Sequence, residues 1–329
     1  LYKIKGKYYL MAAEGGTGPN HREVILTSDS PMGPFIPCAI NPILTQMGLP
    51  SDRKEPITCA GHADLVETEN GEWFAVFLAV RPYRNGHENT GRETFLLPVK
   101  WNDEQPIILD KGKVVPYVVD MTPGMKNLSE NNKIQGYDPY APALLWTSKG
   151  LSKEATFIRT PKEEFFQIRK DGKLALKPRE IRIEQFGNPS FIGRRVNSKR
   201  FKAQTALTYI PEGKLDFAGI VCFQNDYCYV QFGKTVDKQG KVILSLKSYS
   251  SRSKKELKDE YEYFLSDKEK KQKVYLKVEA LTPEEYTFSY AFGRSKSWTV
   301  LGKVKSSLLS TATAGGFTGT TIGVYATGE

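Results

Sequence analysis

Short runs in which apolar and polar residues alternate, separated by turn residues, recur along most of the chain. Residues 274–280 alternate aliphatic side chains with Tyr, Lys and Glu, and residues 286–292 alternate aromatic side chains with small ones. A period of two residues places alternate side chains on opposite faces of a β-strand. Asn70–Gly71 and Asp171–Gly172 stand between such runs and predict two-residue hairpin turns. Because no long stretch has a 3.6-residue period, the sequence predicts an all-β protein.

The length of the strands and the spacing of their apolar residues change near the middle of the chain. In residues 1 to about 115 the strands are compact and apolar, and the loops carry the sequences GGTGPNH, CAGHAD and TGRET. From about residue 140 the strands are longer and alternate apolar residues with Lys, Ser or Thr, which is typical of a sandwich with one solvated face. The sequence predicts a first β domain (1–120), a linker rich in Pro, Gly and Asn (121–140), and a second β domain (141–329).

Composition supports folded domains and excludes several classes of protein. Of the 329 residues, 40% are hydrophobic and 12% aromatic, enough for a sizeable core. No run reaches the roughly 18 consecutive apolar residues of a membrane span, and the chain does not begin with a signal-peptide pattern. The net charge is +10, but the basic residues are dispersed among acidic ones. Because no nucleic-acid-binding motif accompanies the charge, we expect no nucleic-acid partner.

The four cysteines give little indication of a metal site. Cys38, Cys59, Cys222 and Cys228 form no CxxC pair and have no His at metal-ligand spacing, so we expect no zinc site. Cys222 and Cys228 flank a short polar turn and could approach each other across a hairpin. The sequence favours two buried thiols.

A lone carboxylate ends an apolar run close to the start of the chain. In YYLMAAEGGTGPNH (8–21), Glu14 is followed directly by Gly15 and Gly16. Glycines allow a ligand or a neighbouring segment to approach the backbone. A carboxyl group held against apolar walls keeps its proton to higher pH and can act as a general acid. The alternative interpretation is an exposed glutamate at the end of a strand.

Two further side chains can carry chemistry. His62, in CAGHADLVE, lies between small residues ahead of an apolar strand, and we expect it to be buried. A lone buried histidine is more often a satisfied core group than a ligand. Arg92, in TGRETFLLPVKW, can hold a substrate hydroxyl or carboxylate, or pair with Glu93 or another acid.

These segments occur in an order that resembles a known family. EGGTG (14–18), NPILT (41–45), AGHADLVE (60–67), NGEWFAVFL (70–78), RP (81–82) and GRETFLLPVKW (91–101) resemble the second part of the catalytic domain of glycoside hydrolase family 43. This is the family of β-xylosidases and α-L-arabinofuranosidases. FIRTP (157–161), NPSFIGRRV (188–196), AGIVCFQND (218–226) and GGFTGTTIGVYATG (315–328) resemble the β-sandwich domain that follows it in longer members. The resemblance implies a five-bladed β-propeller, of which only the later blades are present, followed by a lectin-like jelly-roll sandwich.

The resemblance also implies an inverting mechanism with three carboxylates: an Asp as general base, a second Asp that tunes the acid, and a Glu as general acid. Glu14 of EGGT would be that acid, and Arg92 of GRET would contact hydroxyls of the sugar. His62 would lie in the central tunnel, where the family's histidine organises water or a calcium ion; the sequence leaves both open. The expected neighbours of the sugar pocket are Gly15, Gly16, Thr17, His21 and Phe35.

The match to the family is incomplete at the N-terminal side. Only thirteen residues precede Glu14, so we expect neither the general base nor the second Asp in this chain. Residues 1–115 provide about two blades of a propeller, whose sheet edges and core would be open without the others. We therefore expect a segment of a larger protein, inactive and unable to fold without the missing N-terminal propeller segment.

The resulting interpretation is an exo-acting glycosidase that releases terminal xylose or arabinofuranose from plant cell-wall oligosaccharides or polysaccharides. Secretion or a periplasmic location is expected from that substrate. A non-catalytic carbohydrate-binding protein or an inactive remnant is the main alternative, because the general base is absent. A propeller that serves as an interaction module is a third hypothesis.

Overall fold

A computed structural model of the chain describes residues 1–120, 122–126, 143–251, 256–293 and 297–328. The chain divides into two compact units, one formed by Leu1–Gly86 with Arg92–Asp138 and the other by His87–Gly91 with Pro139–Glu329. The predicted linker (121–140) lies outside the described residues except for 122–126, where residues 123–126 form one helical turn, α1.

Within the described residues, three antiparallel sheets form the first unit. The first sheet has the order β1-β2-β3-β4, with β5 also paired to β3, the second has the order β6-β7-β8, and the third is the hairpin β9-β10. The strands are β1 (Tyr2–Ile4), β2 (Lys7–Glu14), β3 (Arg22–Ser28), β4 (Ile36–Pro37), β5 (Leu44–Thr45), β6 (Thr58–Glu67), β7 (Trp73–Val80), β8 (Glu93–Pro98), β9 (Lys100–Asn102) and β10 (Gln105–Ile107).

The first two sheets share one apolar core. Ile25 of β3 and Phe77 of β7 belong to the same buried cluster. Trp101 joins this cluster from the third sheet, with its ring edge-to-face on Trp73 at a centroid distance of 5.3 Å. The opposite face of the second sheet carries Val76 and Leu96, which are paired across β7 and β8 and remain exposed. This face of the second sheet is therefore mixed, because the exposed Asp64 of β6 pairs directly with Val76.

The described part of the second unit is a β-sandwich with two additional hairpins. A six-stranded sheet of order β15-β24-β17-β18-β19-β20 faces a four-stranded sheet of order β16-β21-β22-β23. The strands are β11 (Trp146–Thr147), β12 (Gly150–Leu151), β13 (Phe166–Ile168), β14 (Leu174–Leu176), β15 (Ser190–Arg195), β16 (Phe201–Leu207), β17 (Phe217–Asn225), β18 (Cys228–Val236), β19 (Val242–Tyr249), β20 (Leu257–Phe264), β21 (Val274–Thr282), β22 (Glu285–Phe292), β23 (Thr299–Lys305) and β24 (Thr321–Thr327). Helices α2 (Asp267–Lys271) and α3 (Thr311–Ala314) and a 3₁₀ turn (Ser306–Leu309) are short.

The sandwich core follows from the alternation in sequence. Val274, Leu276 and Val278 of β21 are fully buried and face the other sheet, as the two-residue period predicts. Phe232 and Phe288 meet edge-to-face between the sheets at 5.6 Å. Cys222 and Cys228 are buried free thiols, which confirms the prediction.

Both predicted hairpins are confirmed, but neither turn has two residues: the Thr68 N–H donates to Glu72 O and the Arg169 N–H donates to Lys173 O, which leaves three residues in each turn. Asn70–Gly71 lies in the connection between β6 and β7, where the Gly71 N–H donates to Thr68 O at 2.9 Å. Asp171–Gly172 joins β13 to β14, and the Gly172 N–H donates to Arg169 O at 2.9 Å. Both glycines have a positive φ of 75°, a conformation that glycine adopts without strain.

A short segment between β7 and β8 belongs to the second unit. The Asn89 carbonyl accepts from the Thr320 N–H at 2.8 Å, and the Asn89 amide donates to Ser306 O at 2.9 Å. The buried Glu88 carboxylate accepts from the Thr311 hydroxyl and from the Gly91 N–H. Residues 87–91 are therefore integrated into the hydrogen bonding of the sandwich unit.

Candidate active site

Glu14 is the last residue of β2 and faces Arg22 of β3 across the sheet. Its Oε1 lies 2.5 Å from Nε of Arg22, and 45% of the Glu14 side chain is exposed. Of the two interpretations that the sequence left open, the described residues show the exposed glutamate at the end of a strand, without apolar walls. Ala12 and Ala13 are themselves exposed, because the end of β2 extends beyond the buried cluster, and their methyl groups are too small to form a wall.

The turn after Glu14 requires glycine for a local reason. Gly15 and Gly16 have φ values of +78° and +70°. A Cβ at Gly15 would lie 2.0 Å from the Asn20 carbonyl oxygen, whereas a Cβ at Gly16 would meet nothing within 4 Å. The turn thus closes tightly on Asn20 at Gly15 and is open at Gly16. Thr17 is exposed in the same turn. Contact of Gly15, Gly16 and Thr17 with a sugar stays a prediction.

Three consecutive residues, His21, Arg22 and Glu23, connect Glu14 to β6. Arg22 turns towards Glu14, whereas His21 and Glu23 are buried, with exposed fractions of 1% and 2%. Nδ1 of His21 lies 2.9 Å from the Cys59 carbonyl oxygen and therefore donates to it. Oε2 of Glu23 accepts from the Ala63 N–H at 2.9 Å.

Burial raises the pKa of Glu23 to about 7, and the backbone N–H groups of Ala63 and His62 oppose the increase. The buried carboxyl group of Glu23 was not predicted from the sequence. Its signal was a glutamate directly before the apolar run Val24–Leu26, at a position where one face of β3 is buried.

His62 is exposed, so the prediction of a buried histidine is wrong. Cys59 and His62 both adopt positive φ, at 57° and 56°, and the register between β6 and β7 shifts on both sides of Gly61. These irregularities are β-bulges, which redirect side chains. Ala63 and Leu65 take the buried positions of β6 instead. A position of His62 in a central tunnel stays a prediction.

The described residues do not provide a calcium site. Among them no group of three or more His, Cys, Asp or Glu side chains could hold a metal ion. Calcium prefers six to eight oxygen ligands. Asp64, two residues beyond His62, already accepts a hydrogen bond from the Tyr2 hydroxyl at 3.1 Å. These residues alone therefore do not make up a set of calcium ligands, and a water or a calcium ion held by His62 stays a prediction.

Arg92 is half-buried immediately before β8. Of the pairings that the sequence left open, the structure shows Glu93 with a different arginine, Arg81. Nε and Nη2 of Arg81 donate to the two oxygens of Glu93 at 2.8 and 2.6 Å, and Nη1 of Arg81 lies 2.8 Å from the Tyr117 hydroxyl. The pKa of Arg81 is raised by its hydrogen bonds to Glu93.

The Arg81–Glu93 pair lines a cavity of about 230 Å³ together with Ile57, Thr94, Phe95 and Tyr117. Arg81 occurs in the sequence within the RP segment (81–82), which by itself predicts no role for it. Phe35 lies elsewhere in the first unit, half-buried before β4 with its ring against Gly33. A contact of Phe35 or Arg92 with sugar stays a prediction.

Two family models match the chain. Residues 1–106 match the glycosyl hydrolases family 43 model, and residues 146–329 match the β-xylosidase C-terminal concanavalin A-like domain. The chain belongs to glycoside hydrolase family 43. The order of motifs from EGGTG to GVYATG predicted this family, and the prediction is confirmed.

Similar proteins in the family are longer than this chain. It is 33% identical over 340 residues to the non-reducing end α-L-arabinofuranosidase BoGH43B of Bacteroides ovatus, matching 100% of the chain and 58% of that protein. It is 34% identical over 234 residues to a xylosidase/arabinosidase of Butyrivibrio fibrisolvens, matching 69% of the chain and 42% of that protein. The chain thus spans about half the length of these relatives.

A solved family 43 structure supports the fold assignment. The structure of a GH43_12 protein retrieved from the capybara gut metagenome aligns with a TM-score of 0.82 at 32% identity, covering 99% of this chain and 59% of that one. Together with the concanavalin A-like domain match, this confirms the predicted fold class: part of a β-propeller followed by a β-sandwich.

Proposed function

We propose that this chain is part of an inverting, exo-acting glycosidase that releases terminal xylose or arabinofuranose from plant cell-wall oligosaccharides. The observation that carries the proposal is Glu14 at the end of β2, held by Arg22 and followed by the tight turn at Gly15. The names of two relatives, an α-L-arabinofuranosidase and a xylosidase/arabinosidase, support a terminal pentose as the sugar released.

In this proposal Glu14 protonates the oxygen of the leaving group. A general acid must carry a proton at the start of the reaction, and Arg22, 2.5 Å away, fixes the orientation of the Glu14 carboxyl group. The part of the relatives that this chain does not span would supply two things. One is the Asp that activates water, at roughly 6.5–9.5 Å from the acid in inverting enzymes. The other is the second Asp that the family resemblance implies, which tunes and orients the acid.

The test is the dependence of the Glu14→Gln effect on the leaving group, in the full-length protein. Hydrolysis of a disaccharide such as xylobiose or an arabinobiose should fall by about 10²–10⁴-fold, because its leaving alcohol needs a proton. Hydrolysis of the 4-nitrophenyl pentosides should fall much less, since nitrophenolate leaves without protonation. A uniform loss on both substrate types would contradict the acid role.

Glu67 provides the matched control. It is also an exposed glutamate that ends a strand of the first unit, so Glu67→Gln should leave both activities within about twofold of wild type. If the wild-type protein binds these sugars and hydrolyses none of them, the alternative of a non-catalytic carbohydrate-binding protein replaces the glycosidase.

Secretion or a periplasmic location remains part of the proposal and is supported by the polymeric origin of the substrate. Among the described residues, no helix is long and apolar enough to span a membrane. Cell fractionation with an antibody to the protein would test the location directly.

A further inference from the structure

The backbone of β6 around His62 adopts a conformation that needs support. Cys59 and His62 are non-glycine residues with φ values of 57° and 56°. Residues other than glycine rarely adopt such a positive φ. They keep this backbone conformation only where contacts with the surrounding structure stabilise it. The strand pairing of β6 with β7 does not supply this support, because the register shifts between Thr58 and Gly61 and again between Gly61 and Asp64.

The support comes from the start of β3. The His21 imidazole binds the Cys59 carbonyl and lies directly on Gly61, where a Cβ would be 2.8 Å from Nε2. The Glu23 carboxylate accepts the Ala63 N–H at 2.9 Å and a backbone hydrogen bond from His62. Two buried side chains therefore hold the bulge on both sides of Gly61.

Burial of the Glu23 carboxyl group at this position has an unfavourable desolvation free energy. Its exposed fraction is 2%, and Ile25 on the same face of β3 is fully buried among apolar side chains. An aliphatic residue at position 23 would pack there without the cost of desolvating a carboxyl group. It would, however, leave the buried Ala63 N–H without its acceptor, which is unfavourable in a protein interior. The carboxylate thus fixes the backbone of the bulge.

The same short segment also fixes Glu14. Arg22, between the two buried residues, points to the other side of the strand and binds Glu14, and the register pairs Glu14 with Arg22 and Ala13 with Glu23. A shift of the bulge relative to β3 would therefore change the position of His62 relative to Glu14.

We propose that Glu23, assisted by His21, is a positioning residue that holds the bulged backbone of β6 and thereby sets His62 relative to Glu14. The part of this proposal that concerns catalysis rests on the proposed glycosidase function; the part that concerns the backbone does not.

The test compares four forms of the full-length protein: wild type, Glu23→Met, Glu23→Gln and Ile25→Val. Methionine keeps the length of the side chain and removes the acceptor, whereas glutamine keeps one acceptor oxygen. Ile25→Val removes one methylene from the same face of the same strand and leaves the bulge contacts intact. Hydrogen–deuterium exchange at the amides of residues 59–63, and kcat/KM on a pentose disaccharide such as xylobiose, whose leaving alcohol needs the acid, are measured for each form.

For Glu23→Met we expect exchange at His62 and Ala63 to rise roughly tenfold or more, because a buried amide has lost its acceptor, and kcat/KM to fall by about tenfold. In Glu23→Gln both the exchange rate at His62 and Ala63 and kcat/KM should stay close to their wild-type values. Ile25→Val should lower Tm and leave exchange at residues 59–63 and kcat/KM within about twofold of wild type.

Unchanged exchange at His62 and Ala63 in Glu23→Met would overturn the proposal. So would an equal loss of kcat/KM in Glu23→Met and Ile25→Val, which would show a general packing effect. If wild type hydrolyses no pentoside, the glycosidase function fails, and the exchange measurement still decides whether Glu23 holds the bulge. If Glu23→Met does not fold, Glu23→Ala takes its place, since truncation leaves room for water to satisfy the amide.

Discussion

Nε of Arg22 lies 2.5 Å from Oε1 of Glu14, and the two residues are paired across β2 and β3. The pair is partly exposed, and the energies of such pairs are small, about 0–1 kcal/mol. Its contribution is therefore expected in the orientation of the proposed acid and not in stability. The effect of Arg22 on activity and its effect on stability can be measured separately.

Arg22→Ala should lower kcat/KM on a pentose disaccharide by about tenfold, because the carboxylate loses its fixed orientation, and should change the free energy of unfolding by less than about 1 kcal/mol. Urea unfolding and steady-state kinetics measure the two quantities. Lys7→Ala is the control, since it removes another partly exposed pair of the first unit, Lys7 with Glu104 at 2.5 Å. An equal effect of both substitutions on kcat/KM would contradict the orienting role.

Substitutions in the Gly15–Gly16 turn should differ in cost. Both residues have positive φ, which costs a non-glycine residue about 1–2 kcal/mol. Gly16→Ala should lower the free energy of unfolding by only that amount, because a Cβ added at this position would meet no atom within 4 Å. Gly15→Ala should lower the free energy of unfolding by clearly more, since the added Cβ would lie 2.0 Å from the Asn20 carbonyl oxygen. Equal urea midpoints for the two variants would show that the turn at Gly15 can open without cost.

How far the sequence predicts this structure depends on the range of the interactions. The alternation in 274–280 and the Asn70–Gly71 turn are local signals, and the structure reproduces both. The expected burial of His62 rested on the small residues around it, and it is wrong because β6, with a bulge on each side of Gly61, places Ala63 and Leu65 on the buried face and His62 on the other. The integration of residues 87–91 into the second unit depends on partners such as Thr320, which is 231 residues from Asn89.

The site shows the same limit. The motif EGGT located Glu14 and the glycine turn in sequence. The role of Glu23 was not visible, since its hydrogen-bond partner Ala63 lies forty residues away on another sheet. The alternating pattern at β3 predicts only that one face is buried, and it gives no reason for a carboxylate there.

The stability of the first unit should depend on pH through Glu23. Its pKa is raised from 4.5 to about 7 in the folded state, chiefly by burial, so the folded protein binds this proton more tightly than the unfolded chain. The corresponding stabilisation is complete below pH 4.5 and is lost as pH rises through 7, a change of about 3 kcal/mol at 1.36 kcal/mol per pH unit. Glutamine cannot titrate, so the difference in unfolding free energy between wild type and Glu23→Gln isolates this group. A difference that stays flat from pH 4.5 to 8 would contradict the prediction.

In the sandwich, Lys234 should contribute more to stability than any surface lysine, although it forms no ion pair with a carboxylate of the described residues. It is fully buried, and its ammonium donates to the carbonyl oxygens of Tyr209, Lys270 and Gln272 at 3.2, 2.9 and 3.2 Å. Burial lowers its pKa, yet three carbonyl oxygens match the three donors of the ammonium group.

Lys234→Met should therefore destabilise the second unit by about 2–4 kcal/mol, because an apolar side chain of similar length leaves these buried carbonyl groups without a donor. Lys303→Met is the matched control on the same sandwich, since Lys303 forms an exposed pair with Glu285 at 2.7 Å, and it should change stability by less than about 1 kcal/mol. Thermal unfolding followed by calorimetry measures both. If the two variants lose the same amount, the carbonyl groups around Lys234 must find water or other donors, and the ammonium would not be what joins α2 to the loop after β16.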